Sequence, residues 1–488
     1  MNSTRRTFFK TATLGTLGVA TATSTVFAGE VKATGDYDVI VIGAGCGGLV
    51  CAVRAAEKGL KALLIEKMPM PAGNTIYAAG FLLGVNTSFQ KGKDLPKDSV
   101  DAFYEDMMKV SQGKGDPKLT RKVAEQADPT LEWLHSYCGV NFAAGSKLVW
   151  PMLSRAHLVV GDVKPGGGQL AKTLLEKAKA LGVEVRFNTK AMVLLSDEKT
   201  GCVNGVRIKT KDGLSEVYAK RGVVIATGGY SANQQLVTQY IGSAGAKMPI
   251  RGSRVIAGEN ILLVGPYFAK VVNVDQYHCG PIYGPTGANP LNIVNNGVCV
   301  NKAGVRFTNE GQTYVQMSRD VAAMTKDNWA YMVVDQAGHD IPILANDWDS
   351  YKRTGAPVYT GNTIAEAARK AGIDPKALEK TIARYNKAVK RNTRNQLKPA
   401  NTLPKAPLVE KAPFYIVPFQ GGMTATFGGP LINENAQVLD TEGQVIKGLF
   451  AVGNASGGLF YDNYVGGAQL TSAAVFGIAA ADFMSQVK

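Results

Sequence analysis

Three glycines, Gly43, Gly45 and Gly48, form the spacing G-x-G-x-x-G, which suits close contact between a backbone turn and a phosphate group. Because glycine lacks a Cβ, pyrophosphate can approach the turn and the N-terminus of the helix that follows it. Glu66 comes about 20 residues after the motif, where a carboxylate accepts hydrogen bonds from an adenosine ribose. Glycine-rich turns are common, so this spacing indicates a dinucleotide site only if the surrounding elements agree.

The surrounding segments have the order of a βαβ unit. Residues 38–42 are a β-branched run typical of a buried parallel strand. Residues 49–58 are predicted to be helical, and Gly59 is a suitable stop. A second strand at residues 62–65 ends directly before Glu66. This order favours a nucleotide site over a purely structural turn.

Later segments contain further glycine motifs, the first of them at residues 72–75 (AGNT) and 78–80 (AAG). These residues resemble the G-G-N-[ST] loop of the fumarate reductase and succinate dehydrogenase flavoprotein family, in particular of its soluble periplasmic reductases. Residues 223–230 (VVIATGGY) resemble the A-T-G-G turn of two-dinucleotide-type flavoproteins. Residues 448–454 (GLFAVGN) and 466–469 (GGAQ) resemble the late flavin-contacting segments. The resemblance runs from about residue 36 to the C-terminus.

This resemblance implies one non-covalent FAD, because no covalent flavin-attachment sequence is evident. A second G-x-G-x-x-G motif is not evident either, so direct use of NAD(P)H is not expected. The resemblance and the motif together predict the following FAD-binding residues: Gly43, Gly45, Gly48, Glu66, Lys67, Gly73, Asn74, Thr75, Ala79, Gly80, Ala191, Thr227, Gly228, Gly229, Gly453, Asn454, Ala468, Gln469 and Leu470.

The implied fold class is α/β, with a Rossmann-like FAD domain interrupted by an α+β capping domain. Carried onto this chain, the FAD domain comprises residues 34–275 and 426–488, and the cap comprises residues 276–425. Asp374 and Pro375 begin a predicted cap helix that runs to about residue 390. The active site is expected between the two domains, against the flavin.

The sequence departs from fumarate reductases at the residues that hold a dicarboxylate. The family motif N-E-x-x-x-R-D begins at Asn309 and Glu310, but Arg319, which resembles its arginine, comes five residues late. Ala425 replaces a histidine and Tyr464 replaces a late arginine. Residues 289–293 lack the acid and the arginine of the family's proton relay. Losing two cationic contacts costs several kcal/mol at about 1.5–3 kcal/mol per charged hydrogen bond, so fumarate is disfavoured as the substrate.

Tyr314 and Tyr464 instead resemble two active-site tyrosines of 3-ketosteroid dehydrogenases. A phenol can donate a hydrogen bond to a developing enolate oxygen or exchange a proton beside a carbonyl. The predicted catalytic residues are therefore Tyr464, Tyr314 and Arg319. The alternative for both tyrosines is aromatic packing. His278 and His157 are weaker candidates, because a lone histidine is more often structural.

The predicted function is reduction of the activated C=C bond of an unsaturated carbonyl compound, with hydride from flavin N5. Electrons are expected from a separate cytochrome or flavin protein, because the sequence has no C-x-x-C-H haem site. Three alternatives stay open: dehydrogenation of a ketone or steroid-like substrate, fumarate reduction, and a flavin electron-transfer subunit without turnover.

Composition argues for a globular protein and against a nucleic-acid site. Lysine and arginine number 54 against 39 acidic residues, but they are scattered and form no basic stripe with interleaved aromatics. The six cysteines include no C-x-x-C pair, so no metal or iron–sulfur site is predicted. Cys46 and Cys51 are expected to pack in a buried helix.

The N-terminus is predicted to be an export signal. Arg5 and Arg6 precede a mildly apolar stretch at residues 11–27, and residues 26–28 (VFA) suit a signal peptidase. The pair resembles the twin-arginine signal, which exports folded, cofactor-loaded proteins. Residues 1–28 are therefore assigned to this signal and the protein to the periplasm, with an ordinary secretory signal that contains a chance arginine pair as the alternative. No other segment reaches the length of a membrane span.

Overall fold

The sheets and helices are seen in a computed structural model that describes residues 33–144 and 151–487. The predicted export signal lies outside the described residues. The strands are β1 Ala33–Ile42, β2 Ala62–Ile65, β3 Phe81–Leu83, β4 Asn141–Ala144, β5 Ala156–Val160, β6 Glu184–Arg186, β7 Lys190–Ser196, β8 Val203–Thr210, β9 Gly213–Ile225, β10 Val271–Val272, β11 Tyr277–Ile282, β12 Val298–Val300, β13 Ala330–Asp335, β14 Tyr359–Gly361, β15 Phe414–Thr426, β16 Gly429–Pro430, β17 Gln437–Leu439 and β18 Val445–Ala451.

The helices alternate with these strands over much of the chain. They are α1 Cys46–Glu57, α2 Val100–Val110, α3 Pro117–Ser136, α4 Gly166–Ala180, α5 Gln234–Tyr240, α6 Ser243–Ala246, α7 Glu259–Leu262, α8 Tyr314–Met324, α9 Gln336–His339, α10 Ala345–Thr354, α11 Ile364–Ala371, α12 Pro375–Lys390 and α13 Ala468–Gln486. Among the described residues, none of the helices combines the length and the apolar composition needed to cross a bilayer.

The larger sheet has the order β17-β18-β9-β1-β2-β6, with β8 paired to β9 and β7 paired to β8. Strands β18, β9, β1, β2 and β6 run parallel to their neighbours in this order. Their buried residues are largely Val, Ile and Leu, as expected of a parallel sheet covered on both faces. The carboxyl ends of parallel strands share one edge, so the turns after β1, β2 and β9 meet there.

The first βαβ unit matches its prediction apart from its boundaries. Strand β2 has the predicted range, whereas β1 begins five residues before residue 38. Helix α1 begins at Cys46, three residues before the predicted start, because Gly45 is already its extended N-cap. Cys46 and Cys51 are buried in this helix, and burial raises the pKa of the Cys51 thiol to about 12. All six cysteines carry free thiols.

A second sheet is antiparallel and has the order β11-β15-β13-β12, with β14 paired to β15. Its register places His278 of β11 opposite Ala425 of β15. Helix α12 begins where it was predicted, with the Asp374 carboxylate accepting a hydrogen bond from the amide of Ala377. Together the mixed sheets confirm the predicted α/β class. The division into an interrupted FAD domain and a cap stays a prediction.

Candidate active site

A cavity of about 770 Å³ opens at the edge where the parallel strands end, and residues of the second sheet line it as well. This volume lies within the range of about 300–1,000 Å³ that is usual for ligand sites. Main-chain turns line one part of the cavity, whereas His278, Tyr314 and Tyr464 line another. The cavity therefore joins a backbone-lined cradle to a cluster of titratable side chains.

The turn after β1 forms the first wall of the cradle. Gly43 has φ +111°, and a Cβ there would lie 2.5 Å from the carbonyl oxygen of Ala226, so only glycine fits. No side chain caps α1 at Gly45, which lines the cavity. The amide of Cys46 donates to Oγ1 of Thr75 at 2.9 Å, which ties the helix to the 72–75 loop. The helix N-terminus thus offers backbone donors and its positive dipole end to an anion.

Glu66 follows β2 and lines the same cavity, with only 7% of its surface exposed. Its Oε2 accepts from the amide of Ala44 at 3.0 Å and its Oε1 from the amide of Met68 at 2.9 Å. A carboxylate has about four lone-pair sites, so it can still accept from ribose hydroxyls. The position and capacity of Glu66 fit the predicted ribose contact.

A second helix N-terminus, that of α13, reaches the cavity through Gly466, Gly467, Gln469 and Leu470. Gly467 has φ +99° and provides no side-chain cap. Nε2 of Gln469 is buried without a hydrogen-bond partner in the described chain. A buried donor without a partner is costly, so a ligand acceptor is expected beside it. Two uncapped helix ends, the glycine turns and this orphan donor together fit a dinucleotide cofactor with several acceptor groups.

Most of the predicted FAD-binding residues line this cavity. They are Gly43, Gly45, Glu66, Lys67, Gly73, Asn74, Thr75, Ala79, Gly80, Ala191, Thr227, Gly228, Gly453, Asn454, Gln469 and Leu470.

Three predicted positions, Gly48, Gly229 and Ala468, are not among the cavity-lining residues. A Cβ on Gly48 would lie 2.0 Å from the Gly43 carbonyl oxygen, and one on Gly229 would lie 2.1 Å from Oγ1 of Thr426. Ala468 is fully buried at the start of α13. These three residues allow close packing of the elements that form the cradle.

Two predicted catalytic residues, Tyr314 and Tyr464, meet around His278. The Tyr314 hydroxyl lies 3.5 Å from Nε2 of His278. The ring of Tyr464 contacts the imidazole edge-on, with 4.9 Å between centroids. Tyr314 is the first residue of α8, His278 belongs to β11, and Tyr464 precedes α13. His278, a weak candidate by sequence, is thus central to this cluster.

Burial shifts the pKa of each of these groups. It raises the pKa of Tyr464 and Tyr314 and lowers the pKa of His278 well below its usual value. The positive charge of Arg251 lowers the pKa of all three, which opposes burial at the tyrosines and adds to it at His278. At neutral pH the cluster therefore holds two protonated phenols and an uncharged imidazole.

Arg319 is not among the cavity-lining residues. Its guanidinium pairs with the carboxylate and the carbonyl oxygen of Asp462, and it donates to the carbonyl of Tyr277 at 2.9 Å. Arg319 follows Tyr314 by five residues on α8, which rotates it by about 140° around the helix axis. It therefore joins the start of β11 to the loop that carries Tyr464.

Arg251 lines the cavity beside the tyrosine cluster and is not among the residues predicted from the sequence. Its position is set by backbone contact, because its amide donates to the carbonyl of Met423 at 2.7 Å. No motif marks Arg251 in the sequence, since the strand it contacts is far away along the chain.

His157, the other weak histidine candidate, is not among the cavity-lining residues. Its ring is buried between Oγ1 of Thr87 and the carbonyl of Arg155, so its role is structural.

Comparisons with known proteins agree with an FAD-binding fold. A family model described as an FAD binding domain matches residues 38–470. A urocanate reductase of Eggerthella lenta is 30% identical over 467 residues, which cover 91% of this chain and 74% of the relative.

Two solved structures share the architecture. The open conformation of a flavocytochrome c3 fumarate reductase matches with a TM-score of 0.79 and 27% identity, covering 93% of this chain and 79% of that chain. A 3-ketosteroid delta1-dehydrogenase from Sterolibacterium denitrificans matches with a TM-score of 0.79 over 93% of this chain and 100% of that chain. At 20% identity, the second likeness indicates a shared fold alone.

Proposed function

Because the chain belongs to the FAD-binding oxidoreductase family that includes urocanate and fumarate reductases, we propose that it reduces the activated C=C bond of an unsaturated carbonyl compound. FAD is its cofactor, and the uncapped ends of α1 and α13 with Glu66 and Gln469 would hold it. When bound and reduced, FAD supplies a hydride to one alkene carbon while a protein group supplies a proton to the other, so that C=C becomes CH–CH.

The single observation that carries this proposal is the arrangement of Tyr314, Tyr464 and His278 on the cavity that also holds the nucleotide-binding turns. Both phenols carry their protons at neutral pH, as phenols ordinarily do, and burial raises their pKa further. Tyr464 donates a hydrogen bond to the carbonyl oxygen as enolate charge develops. Tyr314 delivers the proton to carbon, and the neutral His278 beside its hydroxyl orients it.

Arg319 is the alternative proton donor, but its contacts favour a positioning role. Its guanidinium already binds Asp462, two residues before Tyr464, and the carbonyl of Tyr277. It thereby fixes the loop that presents the Tyr464 hydroxyl.

Fumarate remains a disfavoured substrate in this proposal. Ala425, which stands where fumarate reductases have a histidine, is buried opposite His278 and offers no charge. The relative named for urocanate reduction supports an unsaturated substrate other than fumarate.

Anaerobic reoxidation of the reduced holoenzyme tests the proposal. Stopped-flow traces with a panel of enoates, enones and fumarate are expected to show fast reoxidation by at least one enoate or enone, and slower reoxidation by fumarate. Reduction of the oxidised enzyme by a saturated ketone, without reoxidation by any alkene, would favour the dehydrogenase alternative. If no compound changes the redox state of the flavin, the result would favour an electron-transfer subunit.

The setting of the reaction is also a proposal. Arg5 and Arg6 support export by the twin-arginine route to the periplasm, and a separate cytochrome or flavin protein is the electron donor.

The FAD is non-covalent in this proposal, so denaturation of the holoenzyme with acid should release all of it. Flavin that stays attached to the denatured chain would contradict this.

A further inference from the structure

The side chain of Arg251 packs against strand β11 of the second sheet. A Cβ on Gly280 would lie 2.9 Å from Cζ and 3.0 Å from Nε of Arg251, so the guanidinium rests on the bare backbone of β11. Backbone hydrogen bonds from Arg251 and Gly252 to the carbonyl of Met423 fix the segment to β15. The guanidinium is thus held at one place in the cavity wall.

In the part of the chain that the structure describes, the guanidinium of Arg251 forms hydrogen bonds to neutral side chains only. Its Nη1 donates to Oγ1 of Thr424 at 3.1 Å and its Nη2 to Oδ1 of Asn289 at 3.3 Å. Its Nε is buried and has no hydrogen-bond partner among the described residues. Within residues 33–144 and 151–487, no carboxylate forms an ion pair with Arg251. A buried donor on an unpaired charge is costly, which indicates that an anion completes this site.

Among the described residues, the other two cationic side chains that line the cavity, Lys67 and Lys190, are placed differently from Arg251. Lys67 pairs with Glu259 at 2.5 Å, and Lys190 is an exposed residue that adjoins Ala191. Arg251 is the cavity-lining cation whose charge acts on His278, Tyr314 and Tyr464.

We propose that Arg251 binds the carboxylate of the substrate, so that the substrate is an enoate with one carboxylate and an apolar substituent. This inference rests on the proposed alkene reduction and narrows it from carbonyl compounds in general to acids. Nε and the remaining guanidinium protons match a carboxylate, whereas a neutral ketone would leave the charge unpaired. Thr424 and Asn289 orient the guanidinium, and Ile282 and Leu291 supply apolar surface for the substituent.

Equilibrium binding to the oxidised holoenzyme tests this without turnover. The probes are propanoate, 3-phenylpropanoate and the amide of each, followed by flavin absorbance changes and by calorimetry. Wild type is expected to bind at least one acid at least tenfold more tightly than its amide. Arg251→Gln should weaken acid binding roughly 10- to 100-fold, as expected for loss of a charged hydrogen bond, and should leave amide binding and FAD content unchanged.

Two further variants sharpen the test. Arg251→Lys keeps the charge and should retain part of the preference for the acid. Arg254→Gln removes the same side chain from an exposed site three residues away and should behave as wild type.

Several outcomes would overturn the inference. They are equal binding of acids and amides by wild type, no binding of either acid, or an Arg251→Gln variant that loses FAD but keeps its acid preference. The reoxidation panel separates this failure from failure of the proposed function. Fast reoxidation by enones with no role for Arg251 would refute the carboxylate site alone, whereas no reoxidation by any alkene would refute the alkene reduction.

Discussion

At the scale of residues, packing against His278 fixes the two tyrosines as hydrogen-bond donors on the cavity wall. A phenol in water and a phenol beside His278 both carry a proton at neutral pH, but the ring of Tyr464 is half-buried and is held in the cavity wall by its contact with His278. A preorganised donor costs no reorganisation when charge develops on a substrate oxygen. The cluster is therefore suited to stabilising an enolate.

Tyr464→Phe tests this directly, because it removes the hydroxyl and keeps the ring that packs on His278, Phe427 and Phe460. We expect kcat/KM for the preferred alkene to fall roughly 10- to 1000-fold. FAD content should not change. Stopped-flow reoxidation of reduced wild type and variant measures the effect, with fumarate as the comparison. Fast fumarate reduction that is indifferent to Tyr464 would show that the dicarboxylate alternative is right.

Arg319→Gln tests the positioning role. Releasing Asp462 should displace the loop that carries Tyr464, and a displacement of about 1 Å can cost up to about 100-fold in rate. Asp462→Asn should have a similar effect, and the double variant should be no worse than either single one. In the Tyr464→Phe background, Arg319→Gln should then have little further effect. A full additional loss there would assign the proton transfer to Arg319 itself.

An exposed arginine–aspartate ion pair provides a matched control for Arg319 and Asp462. Arg121 pairs with Asp101 at 2.6 Å, and the Asp101 side chain is 80% exposed. Arg121→Gln should leave the reoxidation rates unchanged, because exposed ion pairs contribute little.

At the scale of elements, the cofactor cradle depends on how strands end and helices begin. Glu66 is the first residue after β2, and its carboxylate also accepts the amide of Ala44 in the neighbouring turn. One side chain thus braces the glycine turn and faces the cavity.

Glu66→Ala should therefore weaken FAD binding, by roughly 10- to 100-fold if one charged hydrogen bond is lost. Reconstitution of apoprotein with FAD, followed by fluorescence, measures the dissociation constant. Glu176→Ala, at an exposed position on α4, is the control. An unchanged dissociation constant for Glu66→Ala would exclude the ribose contact.

At the scale of the whole molecule, the site requires both sheets. The parallel sheet contributes the nucleotide turns, whereas β11 and β15 contribute His278 and the backbone that supports Arg251. The proposed export by the twin-arginine route, which carries folded proteins, would suit a cofactor held by elements of both sheets.

Replacing Arg5 and Arg6 by lysine tests that route, because it keeps the charge and removes the recognised pair. Processed protein should then disappear from the periplasmic fraction and accumulate unprocessed, as cell fractionation and immunoblotting would show. Arg254→Lys in the same gene controls for expression. Normal amounts of processed periplasmic protein in the double-lysine variant would exclude the twin-arginine route.

The sequence by itself determined the features that depend on local spacing. The glycine turn, the βαβ unit around it and the acid after β2 need only neighbours along the chain, and their residue types are restricted by φ angles and close approach. The α/β class and FAD followed from these motifs and from the family resemblance. The two tyrosines were recognised in the same way, through short motifs.

Only the tertiary structure decided which of those residues share a surface. Gly48, Gly229 and Ala468 belong to the motifs, yet they face packed elements and not the cavity. Arg251 has no motif, because its site arises from β11 and β15 pairing beside a loop distant in sequence. Short sequence motifs predict backbone conformation, because they depend on neighbouring residues. The surroundings of a charged side chain such as Arg251 depend on strands that are distant in the sequence and meet only in the folded protein.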